Sequence, residues 1–260
     1  MNLRSMNRGW AGIAVLLGLS AATATAQPNT ALDFDGVNDY VQIGDPLSLT
    51  GPLTFEAWVL VRSATGPSSI LSNRFNTGYL FDIWDNGATV QLRLIFDCCT
   101  RGAADFAPYM NTWTHVAATW DGTATDLYIN GTRVGGGTYF GPNSPSTTNL
   151  TLGLRQFSSY FDGGMDEVRI WSAKLDQVTI QTWMSKVLTN AHPDYASLEA
   201  NWRFNEGAGE SVASEVGSAA LEGRLGSTSS ADDSDPLWIG SGATPVRTTS
   251  MARIKGLYGQ

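Results

Sequence analysis

The sequence has 260 residues, with 16 basic and 24 acidic side chains and a formal net charge of −8. Its Lys and Arg residues are few and scattered, which disfavours nucleic-acid binding, a function that needs clustered basic side chains. The two cysteines are adjacent, at Cys98 and Cys99, which excludes a disulfide framework between distant strands.

The first 26 residues are typical of an export signal. Arg4 and Arg8 form the positive region, the apolar run 11–19 follows, and Ala-Thr-Ala at 24–26 is a small-residue cleavage site. The apolar run is shorter than the roughly 20 residues that span a bilayer, and no later stretch comes closer, so no membrane span is predicted. We therefore expect a mature chain from Gln27, with 14 basic and 24 acidic residues, located extracellularly, on the cell surface or in the periplasm.

Between residues 31 and 172, short runs alternate apolar and polar residues with a period of two, the pattern of half-buried β-strands. The runs are FEAWVLV, YLFDIW, VQLRLIF, HVAATW, DLYING, LTLGL and DEVRIW. Asn86-Gly87, Asp121-Gly122 and Asn130-Gly131 lie between such runs and favour tight hairpins. Many short antiparallel strands predict a sandwich or a barrel.

Cys98 and Cys99 follow one of these strands. In an oxidising compartment they can form a vicinal disulfide or stay as free thiols, and the sequence leaves both states open. A catalytic dithiol is disfavoured because the C-x-x-C spacing is missing.

A helix is predicted over 175–188, where Asp176 can cap the first turn and apolar residues follow with helical spacing. A strand, LEANWRF, begins at Leu198, and a glycine-rich segment continues to Trp238. Residues 241–260 have weak patterning and are predicted to be a tail or linker.

Five segments in this order resemble the laminin G-like domains of the concanavalin A-like lectin and glucanase superfamily, in their bacterial secreted form. They are ALDFDGVNDYVQI, LTFEAWV, WTHVAATWDGTATDLYINGTRV, FDGGMDEVRIWSAKL and LEANWRFNEGAG. The resemblance covers about residues 31–240. It implies one all-β domain over 27–240, a two-sheet antiparallel jelly-roll sandwich with one short helix near the C-terminal third.

Two Asp-rich segments, 35–39 and 162–166, are predicted to be turns that meet if the first and last strands pair. Carboxylates and glycine-turn carbonyls are ligands that calcium prefers. The resemblance implies a structural calcium ion with Asp35 and Asp166 as side-chain ligands, and Asp39 is a third candidate. The alternative is that both segments are ordinary Asx turns.

Catalysis is not predicted. The E-x-D strand of the similar glucanases is absent, and so is G-x-S-x-G. His115 lies in an alternating strand and is expected to be a half-buried, hydrogen-bonded residue, whereas His192, before Pro193, is expected to be exposed. Neither has partners at zinc-ligand spacing. A glycoside hydrolase of the same superfamily is the alternative.

Aromatic rings can bind sugars, but five tryptophans in the strands are expected to be core residues: Trp58, Trp113, Trp120, Trp171 and Trp202. Five rings in loops or at strand ends are candidate ligand contacts: Tyr79, Trp84, Tyr109, Tyr160 and Phe161. The sequence therefore predicts a non-catalytic binding or adhesion module whose partner is a glycan or an extracellular protein.

Overall fold

A computed structural model describes residues 30–139, 141, 143–155 and 159–240. The predicted signal peptide and the predicted tail at 241–260 lie outside the described residues. The strands are β1 Thr30–Asp35, β2 Val41–Ile43, β3 Leu53–Ser63, β4 Gly66–Ser72, β5 Tyr79–Asp85, β6 Val90–Phe96, β7 Cys99–Asp105, β8 Thr114–Trp120, β9 Ala124–Ile129, β10 Thr132–Thr138, β11 Thr151–Leu152, β12 Leu154–Arg155, β13 Ser159–Tyr160, β14 Asp162–Trp171, β15 Leu198–Trp202, β16 Ser211–Val212, β17 Gly223–Leu225 and β18 Leu237–Gly240. One α-helix, α1, spans Gln177–Trp183, and short 3-10 helices span Ala107–Tyr109, Tyr195–Ser197 and Ala219–Leu221.

The strands form a two-layer antiparallel sandwich, which confirms the predicted fold class. One layer has the order β16-β17-β2-β11-β4-β5-β6-β7 and the other β10-β9-β8-β3-β14-β1-β18, while β15 also pairs with β14. The layers meet at β7 and β10, where Gly136 pairs with Ala103. A Cβ on Gly137 would lie 2.3 Å from the carbonyl oxygen of Arg101, so glycine is needed at this crossing. The small β12–β13 sheet lies against β4.

The main core fills the space between the layers, because alternate residues of each strand face inward. It includes Phe34 of β1, Phe55 of β3, Phe81 of β5 and Trp120 of β8. Of the five tryptophans predicted to be core residues, Trp113, Trp120, Trp171 and Trp202 are buried, as predicted. Trp58 is half-buried.

A second apolar cluster lies on the other face of the β3–β8–β14 layer, where α1 covers Trp171. Asp176 caps the helix as predicted, accepting the Thr179 N–H at 2.7 Å. The helix is shorter than predicted and ends at Trp183. Side chains from the sheet bind the carbonyl groups at this end: Trp58 Nε1 donates to Met184 O at 2.8 Å, and Arg169 Nη1 donates to Trp183 O at 3.1 Å. No helix within the described ranges is long and apolar enough to cross a membrane.

The prediction that His192 is exposed is wrong. Its ring is 2 % exposed and stacks on Trp171, with ring centroids 4.5 Å apart, because α1 and the following loop fold over this face. Burial lowers the pKa of His192. His115 is 1 % exposed, more deeply buried than expected, and its Nε2 lies 3.4 Å from Oε1 of Glu56.

Candidate functional site

A pocket of about 300 Å³ opens on the outer face of the β2–β11–β4 layer, and we call it the Phe75 pocket. Its walls come from three adjacent strands, from the loop after β4, from the loop before β11 and from the start of β12. The lining residues are Gln42, Ser72, Arg74, Phe75, Thr148, Asn149, Thr151 and Leu154.

The floor of the Phe75 pocket is set by strand register. Thr151 of β11 pairs with Gln42 of β2 on one side and with Ser72 of β4 on the other. Residues directly opposite in antiparallel strands point to the same face, so these three polar side chains form one row. Within the protein, Thr151 Oγ1 donates to Leu154 O at 2.8 Å, Gln42 Nε2 donates to Ile43 O at 3.1 Å, and the buried Ser72 Oγ accepts the Arg74 N–H at 3.1 Å. The side-chain oxygens of Gln42 and Thr151 can still accept hydrogen bonds from a ligand in the pocket.

Phe75 lines this pocket and is 51 % exposed. Its loop is held by Asn73, which is 1 % exposed. Asn73 Oδ1 accepts the Tyr79 N–H at 2.8 Å, and Asn73 Nδ2 donates to Pro46 O at 2.8 Å. The exposed ring is thus displayed by a loop whose base is fixed, which limits the ordering cost of binding.

Two further loops are joined to the Phe75 loop through Asp97. Arg74 Nε donates to the carbonyl oxygen of Asp97, while the Asp97 carboxylate accepts hydrogen bonds from Gly78 N at 3.2 Å and Ser144 Oγ at 3.0 Å. The exposed residues Cys98 and Cys99, which follow Asp97, are joined in a disulfide. One end of the sandwich is therefore built from loops that hold one another in place.

Two of the five predicted ligand-contacting rings are core residues, and that prediction is corrected. Tyr79 and Phe161 are fully buried. Tyr79 at the start of β5 and Phe161 just before β14 both belong to the main core. The Tyr79 hydroxyl donates to Leu47 O at 2.6 Å. These two rings have no surface to offer a ligand.

The other three predicted rings are partly exposed. Tyr160 lies closest to the Phe75 pocket in the strand register, because it pairs with the lining residue Leu154. Trp84 lies below the guanidinium of Arg93, 4.1 Å from the ring centroid. Tyr109 packs on Phe106 at the edge of the core. Their contact with a ligand stays a prediction.

Phe75 was not among the rings predicted from the sequence. It lies in the loop SNRFNTG, between two strand patterns. That placement is the signal by which it could have been found, since an aromatic ring within a polar turn segment is a candidate surface contact.

The two Asp-rich segments are neighbours, because β1 pairs with β14 and Asp35 lies opposite Asp162. The second segment is not a turn, however. Residues 162–166 belong to β14, and their glycines serve close packing: a Cβ on Gly163 would lie 1.8 Å from the carbonyl oxygen of Leu60. Asp166 is consequently four positions further along the strand than Asp162, roughly 13 Å at about 3.3 Å per residue.

The three predicted calcium ligands therefore do not converge on one point. Asp35 forms an Asx turn in which Oδ1 accepts the N–H groups of Val37 and Asn38, and Asp39 Oδ2 accepts the Asp35 N–H at 2.8 Å. Asp166 is fully buried on β14, with Oδ1 accepting the Glu167 N–H. Within the described part of the chain, no three His, Cys, Asp or Glu side chains are arranged to hold a metal ion. Calcium binding stays a prediction, but Asp35, Asp39 and Asp166 do not form its ligand set.

The Asp35–Asp39 turn nevertheless carries unusual electrostatics. Asp39 is 4 % exposed, and burial is the main reason that its pKa is raised to about 6; the hydrogen bond from Asp35 N opposes the shift, and the charges of Asp35 and Asp33 add to it. Arg62 offsets part of the negative charge, since it bonds Asp33 at 2.6 Å and Asp162 at 2.8 Å.

Solved structures of other proteins share this architecture. A predicted carbohydrate binding protein from Bacteroides ovatus is 20 % identical, with a TM-score of 0.63, covering 82 % of this chain and 62 % of that chain. A heptameric SAP-like pentraxin from Limulus polyphemus is 14 % identical, with a TM-score of 0.52, covering 78 % and 97 %. At these identities the likeness shows the fold, and the chain spans less than two thirds of the Bacteroides protein. A comparison with curated proteins found no match.

A family model matches residues 35–181, more than half of the sequence. The matched region runs from the Asp35 turn through β14 into α1. The chain belongs to the Laminin_G_3 family of the concanavalin A-like lectin/glucanases superfamily.

Proposed function

We propose that this protein is a non-catalytic glycan-binding module and that the Phe75 pocket is its sugar site. The observation that carries the proposal is an exposed aromatic ring beside a row of amide and hydroxyl groups in one pocket. Sugars have apolar C–H faces and hydroxyl edges, and an aromatic ring with convergent polar groups complements both. The pocket volume is at the lower end of the roughly 300–1,000 Å³ of ligand sites, which suits one or two sugar residues.

The chemistry of the lining supports binding rather than hydrolysis. Glycoside hydrolysis uses two carboxyl groups on either side of the bond that breaks. Among the described residues that line the Phe75 pocket, none is Asp or Glu. A glycoside hydrolase would have to place its two carboxylates elsewhere on the surface.

Export and a structural calcium ion are sequence predictions that belong to the same proposal. An exported module meets glycans outside the cytoplasm, and a calcium ion that binds only the folded state would stabilise the fold by mass action. The described residues that line the Phe75 pocket include no carboxylate to bind calcium, so loss of calcium is expected to lower stability without removing the sugar site.

The proposal is tested by screening the mature chain on a glycan array and measuring the affinity of each hit by calorimetry. Phe75→Ala is expected to weaken binding about tenfold, equivalent to about 1.4 kcal/mol. Val178→Ala is the matched control, because Val178 is 70 % exposed on α1, far from the pocket in the fold, and its truncation is expected to change nothing.

The proposal would be contradicted if no glycan on the array bound, or if Phe75→Ala and the unchanged protein had equal affinity. Release of reducing sugar from a bound glycan would favour the glycoside hydrolase instead.

A further inference from the structure

The charges around the Phe75 pocket have the opposite sign to the protein as a whole. The chain has a net charge of −8, yet Arg74 lines the pocket and no carboxylate does so among the described residues. Arg155 of β12 is not a lining residue, but it is close enough to Arg74 for its charge to act on that side chain. Arg224 of β17 pairs with the lining residue Gln42, which places its exposed side chain at the rim in the same row. Arg74 therefore stands in the pocket and Arg224 at its rim, with Arg155 within electrostatic reach of Arg74.

The two acidic groups whose charges act on Arg74, Asp82 and Asp97, are engaged within the protein. Asp82 is fully buried, and both of its carboxylate oxygens are bound by Arg93, at 2.9 and 2.6 Å. The Asp97 carboxylate accepts from Gly78 and Ser144. Arg74, Arg93 and Arg155 outnumber Asp82 and Asp97 in this cluster, which leaves a surplus of positive charge beside the pocket.

The arginines are also close enough to affect one another. Burial lowers the pKa of Arg74, and the positive charge of Arg155 lowers it further. Mutual repulsion of this kind is relieved when an anion binds between the two groups, because guanidinium groups form strong charge-assisted hydrogen bonds with oxyanions.

We propose that the sugar bound in the Phe75 pocket is acidic, with an anionic group such as the carboxylate of a uronic acid held by Arg74 and Arg155. This inference rests on the proposed glycan-binding function and names its ligand class. Phe75 contacts the apolar face of the ring, the Gln42–Thr151–Ser72 row takes its hydroxyl groups, and the arginines select for charge.

The test compares oligogalacturonate with its methyl ester, which keeps the shape and removes the charge, and with a sulfated and a neutral oligosaccharide of equal length. The acid form is expected to bind at least tenfold more tightly than the ester, with an affinity that falls when NaCl is raised from about 20 to 200 mM. Tighter binding of the sulfated sugar than of the uronate would assign the anionic group to a sulfate.

Arg155→Gln is expected to remove most of the preference for the acid form. Arg133→Gln is the control, since Arg133 is exposed on β10 and pairs with Asp126. Arg224→Gln is a second variant that is expected to reduce the same preference, and it leaves the hydrogen bond from Arg74 to Asp97 in place.

Equal affinity for the acid and the ester would overturn this inference while leaving glycan binding intact. If no sugar bound, charged or neutral, the proposed function itself would be overturned.

Discussion

The ionised carboxylate of Asp39 is expected to reduce the stability of the fold at neutral and higher pH. Its pKa is raised from the ordinary 3.8 to about 6, so the folded state binds a proton more tightly than the unfolded state. By linkage, the stability that this carboxyl group contributes is fully present below pH 3.8 and is lost as the pH rises through about 6. The shift corresponds to at most about 3 kcal/mol, and because the turn is at the surface, solvent screening should reduce this to about 1–2 kcal/mol.

Asp39→Asn removes the charge and keeps an oxygen that can accept the Asp35 N–H. The variant is expected to be about 1–2 kcal/mol more stable than the unchanged protein at pH 8, with a gain that shrinks by more than half at about pH 4. Urea denaturation at both pH values measures the difference. Asp105→Asn is the matched control, since the exposed Asp105 also accepts one backbone N–H, from Ala107 at 3.1 Å. An Asp39→Asn variant that is no more stable at pH 8, or equally stabilised at both pH values, would refute the reasoning.

Three further predictions concern the sheets and the metal. Asp82→Asn leaves Arg93 buried beside a neutral group and should cost about 3–5 kcal/mol, whereas the double change Asp82→Leu with Arg93→Met should recover most of that loss in urea denaturation. Gly163→Ala should cost about 2–4 kcal/mol, since its Cβ would overlap a carbonyl of β3, while Gly51→Ala, with no atom within 4 Å, should be neutral by the same assay. If calcium binds, thermal melting with about 5 mM CaCl₂ should show a higher Tm than melting with EDTA, and equal values would rule out a stabilising ion at that concentration.

The strands could be predicted from the sequence because their signals are local. The alternation in VQLRLIF and the Asn130-Gly131 turn depend on neighbouring residues alone, and both appear in the structure as β6 and the β9–β10 hairpin. Asp176 was likewise identified as a cap from its position before an apolar run. The end of α1 is not predictable in this way, because side chains of two strands bind its last carbonyl groups: Trp58 of β3, far away in sequence, and Arg169 of β14.

The candidate site depends on register between distant segments, which the sequence does not display. Gln42, Ser72 and Thr151 become one row only because β11 inserts between β2 and β4. The same limit explains the calcium prediction. The spacing from Asp162 to Asp166 predicts a turn, but a strand of close-packed glycines carries Asp166 away from Asp35.

The position at which a glycan binds tests the central claim most directly. Backbone chemical shifts of ¹⁵N-labelled protein should be followed during titration with the tightest sugar from the array. The account predicts that the largest changes fall on Phe75, Asn149 and Thr151. Changes centred on Trp84 or on the Asp35–Asp39 turn, with the Phe75 pocket unaffected, would contradict it.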